Sequence, residues 1–405
     1  MKIQRCKGMR DMSPAEMTVF HQVEETCRDC FLKWGYQEVR TPTIEYLHLF
    51  TSAGTLTPNM LGKVYSFLDW DGWSGERVVL RPDGTIPVAR MYAEKLKGLA
   101  RLFYTANMFM FEETGEKTRE QWQCGAELIG AGSALADAEL ITLSSEILKK
   151  LGMKGVELKL SHAGLIKALL KKLGLSPEEQ NRLFDRILDG DTAALAGVSR
   201  EAPELLPMLS LKGQSPGFLR NQRAILQQSL PEICAPLDDF LKTVDILDEL
   251  GVKYQINIAS GTGFEYYTGI IFQYFRDDDK IGRGGRYDAL IASMGGGSVP
   301  ASGFALYLDR LMNLVKAETL ATSPPLKILV RVLSGDAVKE SFKAAEALRK
   351  AGYTAEIDLD GQNADWELEV KSSGALTLND KTGVKKTGVS SINEVLKLLE
   401  AQSGD

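Results

Sequence analysis

Residues 101–113, RLFYTANMFMFEE, and residues 120–132, EQWQCGAELIGAG, read as two strands in succession, joined by the short TGEKTR. A link of that length cannot hold the crossover helix a parallel pair needs, so the two predict an antiparallel neighbourhood. The run before them, ERVVLRPDG at 76–84, is also strand-like, and no helix of crossover length is predicted between it and residue 101. The reading is therefore an α+β fold, an antiparallel sheet flanked by helices, and not a doubly wound parallel sheet.

On the N-terminal side, residues 14–35 have the apolar spacing of a long helix, and YQEVRTPTIEY (36–46) alternates as a strand. On the C-terminal side, a helix at about 136–151 and the strand VELKLSH (156–162) follow. Residues 163–234 then change character to short helices broken by Gly and Pro, a helical insertion between parts of the sheet. A helix near 237–250 and the strand KYQINIAS lead into GTGFEYYTGIIFQYF (261–275), and a Gly-rich stretch closes a first domain at about residue 320. KAETLATSPP (316–325) reads as a linker. Beyond it, strand, helix and strand form a small α/β domain over 326–405.

A chain of 405 residues is long for one core and fits two domains. The formal net charge of -6 argues against a surface built to hold a polyanion nonspecifically. No apolar stretch approaches the roughly 20 residues of a membrane span, and MKIQRCKGMRDMSP has no apolar signal core, so a cytoplasmic protein is expected. The five cysteines are too scattered for a disulfide framework. Cys27 and Cys30 form a CxxC, but within an amphipathic helix and with no second ligand pair at zinc spacing; no metal site is expected there or at the three separate histidines.

Several side chains carry chemistry. On a strand Gln123 and Glu127 share a face and point into one space, about 13 Å apart. A buried Gln and Glu need partners, since an unpaired polar group there costs about 1–3 kcal/mol, and a small amphoteric ligand would supply them; a solvated open sheet face would do so equally well. Asp83 in LRPDGT can grip an ammonium group or serve as a plain turn aspartate. Tyr266 and Tyr267 would point to opposite sides of a strand, so they serve one pocket only if the backbone bends, which Gly263 and Gly269 permit. The glycines of GRGGRYD and MGGGSVPASGFA allow a ligand close to the backbone, but match neither the dinucleotide fingerprint nor a Walker loop.

Taken in order, RPDGT, MFMFEE, QCGAELIG, EYYTGIIF, GGRYDALI and GFALYLDR resemble the catalytic core of the histidyl-tRNA synthetases. The resemblance starts at GMRDMSP and covers about 1–315 apart from the helical insertion; EYYTG and GGRYD are the histidine-specific signatures of that family. It implies a class II aminoacyl-tRNA synthetase-like fold and a histidine-binding set of Asp83, Gln123, Glu127, Tyr266 and Tyr267, with Asp83 where the family has glutamate. It also implies where phosphate-gripping arginines should stand. Met110 occupies the position of the arginine on the motif-2 strand, and Thr262 that of the arginine before the tyrosine pair. Arg310 matches the motif-3 arginine, and Arg119 matches one in the motif-2 loop. Methionine offers a phosphate neither charge nor donor, and losing one such preorganised donor costs about 10²–10³ in rate.

A pocket that keeps its amino-acid ligands and loses its phosphate clamps is similar to that of the ATP phosphoribosyltransferase regulatory subunits. These do not charge tRNA, assemble with a short catalytic subunit, enable its activity and take part in feedback by histidine. The resemblance thus implies no catalytic residue, no cofactor, histidine as ligand and a residual anion site at Arg119 and Arg310. It further implies a homodimer through the N-terminal helix region, within a hetero-oligomer with short-form ATP phosphoribosyltransferase catalytic subunits, and no tRNA binding. The C-terminal domain resembles a truncated anticodon-binding domain. Two other readings stay open: a divergent histidyl-tRNA synthetase, and a synthetase-like paralogue that binds RNA or another amino acid.

Overall fold

In a computed structural model of the protein, strand alternation sorts the central side chains into two layers. β5 (Ala100–Phe109), β6 (Glu120–Ile129), β7 (Val156–His162), β10 (Ile270–Arg276), β11 (Asp279–Arg286) and β12 (Ala301–Tyr307) run antiparallel in the order β5-β6-β12-β11-β10-β7. In one register row Phe103, Ala126, Phe304, Gly284 and Phe272 lie side by side; in the next, Tyr104, Gly125, Ala305, Arg283 and Gln273. Because side chains alternate across a sheet, the first row builds an aromatic face and the second a face of small and polar residues.

The structure describes residues 4–401 apart from 54–55, 57–60, 70–74, 112–117, 177–178, 181, 184–185, 187–211, 215, 229, 259–265, 316–325, 360, 362–363, 372–374 and 381–385. Glu112, Thr262, Gly263, much of the expected helical insertion and the expected linker thus lie outside the described residues. Contacts divide the chain into two compact units, Met1–Leu320 and Ala321–Asp405.

Helix α1 (Pro14–Lys33) covers the aromatic face. It starts where the sequence dictates: Ser13 and Glu16 form a reciprocal capping box, and Pro14 occupies the first turn. Its buried stripe of Phe20, Val23, Cys27, Cys30 and Phe31 meets the sheet, with the Phe31 and Phe103 rings stacked at 4.9 Å. Cys27 and Cys30 therefore belong to this packed stripe. Among the described residues, no group of three or more His, Cys, Asp or Glu is arranged to hold a metal, and no helix is long and apolar enough to cross a membrane.

Four local expectations are corrected. YQEVRTPTIEY is two strands: β1 (Gln37–Glu38) pairs in parallel with β5, while β2 (Ile44–Tyr46) joins a separate three-stranded sheet with β3 (Ser66–Leu68) and β4 (Arg77–Leu80). Pro42, which has no N–H to donate, lies between the two. The segment after RPDG is a helix, Thr85–Lys95, which buries Ile86, Ala89 and Tyr92. β4 and β5 therefore need not be sheet neighbours. The large sheet is also mixed at its edges, because β9 (Gln255–Asn257) pairs in parallel with β7 and antiparallel with β8 (Lys212–Gln214). Finally, Tyr266 lies in a turn and Tyr267 just beyond it, ahead of β10.

The second unit has its own core. β13 (Lys327–Val332), β14 (Thr354–Ile357) and β15 (Trp366–Val370) are parallel, and β16 (Leu376–Asp380) and β17 (Lys386–Val389) extend the sheet antiparallel. Helices Val338–Lys350 and Ile392–Glu400 contribute Leu348, Val395 and Leu399 to a core with Ile328, Val330, Leu368 and Leu378.

Candidate amino-acid pocket and adjoining cleft

The small-and-polar face of the large sheet makes the site. Glu127 and Gln123 leave β6 on that face, with Gly125 between them. The absent side chains are structural requirements. A Cβ on Gly303 would stand 1.7 Å from Glu127 Oε2, and one on Gly125 would stand 2.4 Å from the Tyr104 ring. Glycine here lets a carboxylate and a phenol lie flat against backbone.

Glu127 is fully buried. Its Oε1 accepts a hydrogen bond from the Thr85 hydroxyl at 2.7 Å, and its Oε2 accepts one from the Tyr287 hydroxyl. Burial pushes its carboxyl up to about 8, against the lowering effect of those two donors. Asp83 is also buried, and its Oδ1 accepts from the Ile86 N–H at 2.9 Å, so it caps the helix Thr85–Lys95 while facing the pocket. Burial raises its carboxyl too, partly offset by that N–H and by the Arg283 charge.

Asp83, Thr85, Gln123, Tyr266, Tyr267, Arg283 and Tyr287 line one enclosed cavity floored by Gly303 and Ala305. Asp83, Gln123, Tyr266 and Tyr267 are thus brought together, and Glu127 lies behind them through Thr85 and Tyr287. The Tyr266 ring packs on Tyr267 at 5.0 Å and edge-on to Tyr287 at 5.6 Å. The volume between these side chains is about 10 Å³, room for about one water, so a ligand of amino-acid size would extend into the cleft whose wall Gln123 and Arg283 share, or displace side chains of the pocket.

Beside this pocket opens a cleft of about 650 Å³. Arg10, Met110, Arg119, Lys280, Arg283 and Arg310 line it, together with Asp279 and Asp309. Arg119 and Arg310, predicted to lie together, both face this cleft, and so does Met110. Arg310 lies 3.5 Å from Asp279 and over the Tyr307 ring, and Arg119 lies over the Phe111 ring. Arg10 pairs with Asp309, whose other oxygen accepts from the Trp122 N–H at 2.6 Å.

Thr85, Arg283 and Tyr287 were not singled out in the sequence. Tyr287 sits in the GGRYD signature itself, and Arg283 is one of two charged side chains in GRGGR; either could have been flagged once the register of β11 was known.

The family model of histidyl-tRNA synthetase matches residues 8–311. The chain belongs to the histidyl-tRNA synthetase family. Within it, an ATP phosphoribosyltransferase regulatory subunit of Dehalococcoides mccartyi is 49% identical over 99% of both chains. A histidine–tRNA ligase of Methanosarcina acetivorans is 32% identical, covering 94% of this chain and 89% of its own. The fold is that of class II synthetases. A Bacillus halodurans structure described as an ATP phosphoribosyltransferase regulatory subunit/histidyl-tRNA synthetase superposes with a TM-score of 0.74 at 24% identity, over 88% of this chain and 93% of that one. Histidyl-tRNA synthetase from Nostoc superposes with 0.75 at 18% identity, over 99% and 100%.

The raised Glu127 carboxyl has a consequence that can be measured in this family member directly. The folded state holds a proton on Glu127 up to about pH 8, whereas the unfolded chain releases it near the ordinary value of 4.5. This contribution to stability is therefore complete below the ordinary value and is lost as pH rises through that window. Thermal denaturation should show the wild-type Tm falling several degrees more than that of Glu127→Gln between about pH 5 and about pH 8. Parallel profiles would place the carboxyl's titration outside the window.

Proposed function

We propose that this chain is a non-catalytic, histidine-binding regulatory subunit of ATP phosphoribosyltransferase. It would act in the cytoplasm with the short-form catalytic subunit in the first step of histidine biosynthesis. The observation that carries the reading is the pairing of two neighbouring sites. The enclosed pocket keeps Asp83, Gln123, Tyr266 and Tyr267 in its wall with Glu127 behind them, while Met110 faces the cleft where a phosphate clamp would be needed. Histidine then has acceptors for its ammonium and imidazole groups, and no efficient activation follows.

The test is histidine-dependent ATP–pyrophosphate exchange by the purified chain, followed by mixing with a short-form ATP phosphoribosyltransferase. We expect no exchange, and turnover in the mixture that histidine inhibits. Strong exchange by the chain alone would overturn the reading. A divergent histidyl-tRNA synthetase is the second reading, and the cationic lining of the cleft favours it: Arg10, Arg119, Lys280, Arg283 and Arg310 still gather there. Pyrophosphate exchange separates the two.

Assembly as a homodimer belongs to the same proposal. The apolar stripe of α1 packs within its own protomer, so in the N-terminal helix region the contact would fall to the exposed face of α1 or to a surface beside it. On the three-stranded sheet Tyr46, Val78 and Phe67 form one cross-strand row. Ile44, Tyr46 and Phe67 there are 49%, 43% and 41% exposed, an apolar face suited to a second copy. Replacing both Ile44 and Phe67 with lysine should convert dimer to monomer in sedimentation analysis; an unchanged mass would move the interface elsewhere.

A further inference from the structure

Arg283 stands at the boundary between the enclosed pocket and the open cleft. On β11 it lies opposite Gln273 of β10 and Ala305 of β12, so its side chain leaves the sheet on the Glu127 face. It lines the pocket beside Asp83, Tyr266 and Tyr267, and lines the cleft beside Tyr307. Among the described residues, Gln123, which is neutral, is the other side chain common to both cavities. Arg119 and Arg310 line the cleft and are absent from the pocket wall.

The enclosed pocket therefore has one cation among its described wall residues, shared with the cleft. The cation Arg283 and the carboxyl of Asp83 line this cavity together with Thr85 and Tyr287, whose hydroxyls donate to the buried Glu127 behind them. A free α-amino acid has ammonium and carboxylate on one carbon, and a side chain beyond. Asp83 can receive the ammonium, and the Glu127 group can receive a polar side chain, but neither suits a carboxylate. A guanidinium binds a carboxylate through two parallel N–H donors.

We propose that Arg283 grips the α-carboxylate of the bound amino acid and so restricts the pocket to ligands carrying both head-group charges. This rests on the histidine reading given above and adds the residue that decides between histidine and analogues lacking its carboxylate. Arg283 is on this account a binding and specificity residue of a sensor.

Calorimetric titration of the full-length chain with histidine and with histidinol, which carries a hydroxymethyl group in place of the carboxylate, tests this. Wild type should prefer histidine on the order of tenfold to hundredfold. Arg283→Met should lose that preference by weakening histidine alone, with histidinol affinity kept within about threefold, and Arg283→Lys should recover part of it. Should Arg283→Met fail to fold, Arg283→Gln carries the same comparison. An unchanged preference, an equal loss for both ligands, or tighter histidine binding in Arg283→Met would each overturn the proposal. The last result would mean that the guanidinium competes for the pocket. If wild type binds neither ligand, the histidine reading itself fails, an outcome distinct from binding that ignores Arg283.

Discussion

Gly303→Ala should be among the most damaging single-methyl changes in the protein, costing about 3 kcal/mol or more and lowering Tm by roughly 5–10 °C. The added carbon would lie 1.7 Å from Glu127 Oε2, 2.7 Å from its carboxyl carbon and 2.8 Å from the Ala126 carbonyl. No rotamer of Glu127 relieves the backbone contact, and displacing the carboxylate breaks its bonds to Thr85 and Tyr287. Histidine binding should vanish with it. A double-mutant cycle with Glu127→Ala checks the cause, because the methyl then has room and part of the loss should return, with a coupling of about 1 kcal/mol or more. Strict additivity would mean that the clash lies with the backbone alone.

A second large effect is expected on the other side of the GGRYD turn. Arg286 donates through Nη2 to Asp137 and to the Ser133 carbonyl, and Asp137 Oδ1 accepts from the Ser302 hydroxyl at 2.8 Å. Both charged side chains are at least 95% buried. Removing one leaves the other uncompensated, so Arg286→Met should destabilise by about 3–5 kcal/mol, measured by urea unfolding. Adding Asp137→Leu should restore much of this, since replacing a whole buried pair by apolar groups is often close to neutral. A single variant within about 1 kcal/mol of wild type would show that water reaches Asp137.

How far the site could be read from sequence follows from the distances along the chain. Gln123 and Glu127 sit four residues apart on one strand, and the period of two sufficed to put them on one face. Asp83 was legible as a turn residue because its partner, the Ile86 N–H, is three positions away. Arg283 was not legible. Its role depends on β11 lying between β10 and β12 in a given register, and a slip of one residue would send it into the aromatic layer. Thr85 and Tyr287 reach Glu127 from 42 and 160 positions away, and no local pattern encodes that. The helix Thr85–Lys95 was missed for another reason: Thr85, Ile86, Pro87 and Val88 open it with poor helix formers, which Asp83 offsets by capping. The resemblance to a family supplied what periodicity could not, the grouping of five side chains from three separate stretches of chain.

The two-layer sheet also bears on how such a protein can change its ligand. Phe103, Phe272 and Phe304 anchor the fold on one side, while Gln123 and Arg283 line the pocket on the other. Substitutions at the mouth of the pocket need not disturb the aromatic layer, so affinity and selectivity can drift at little risk to folding. Glu127 and Gly303 have no such latitude, because each is the other's packing partner. A lineage built on this scaffold should therefore vary Gln123 and Arg283 at the pocket wall well before it varies Glu127 and Gly303.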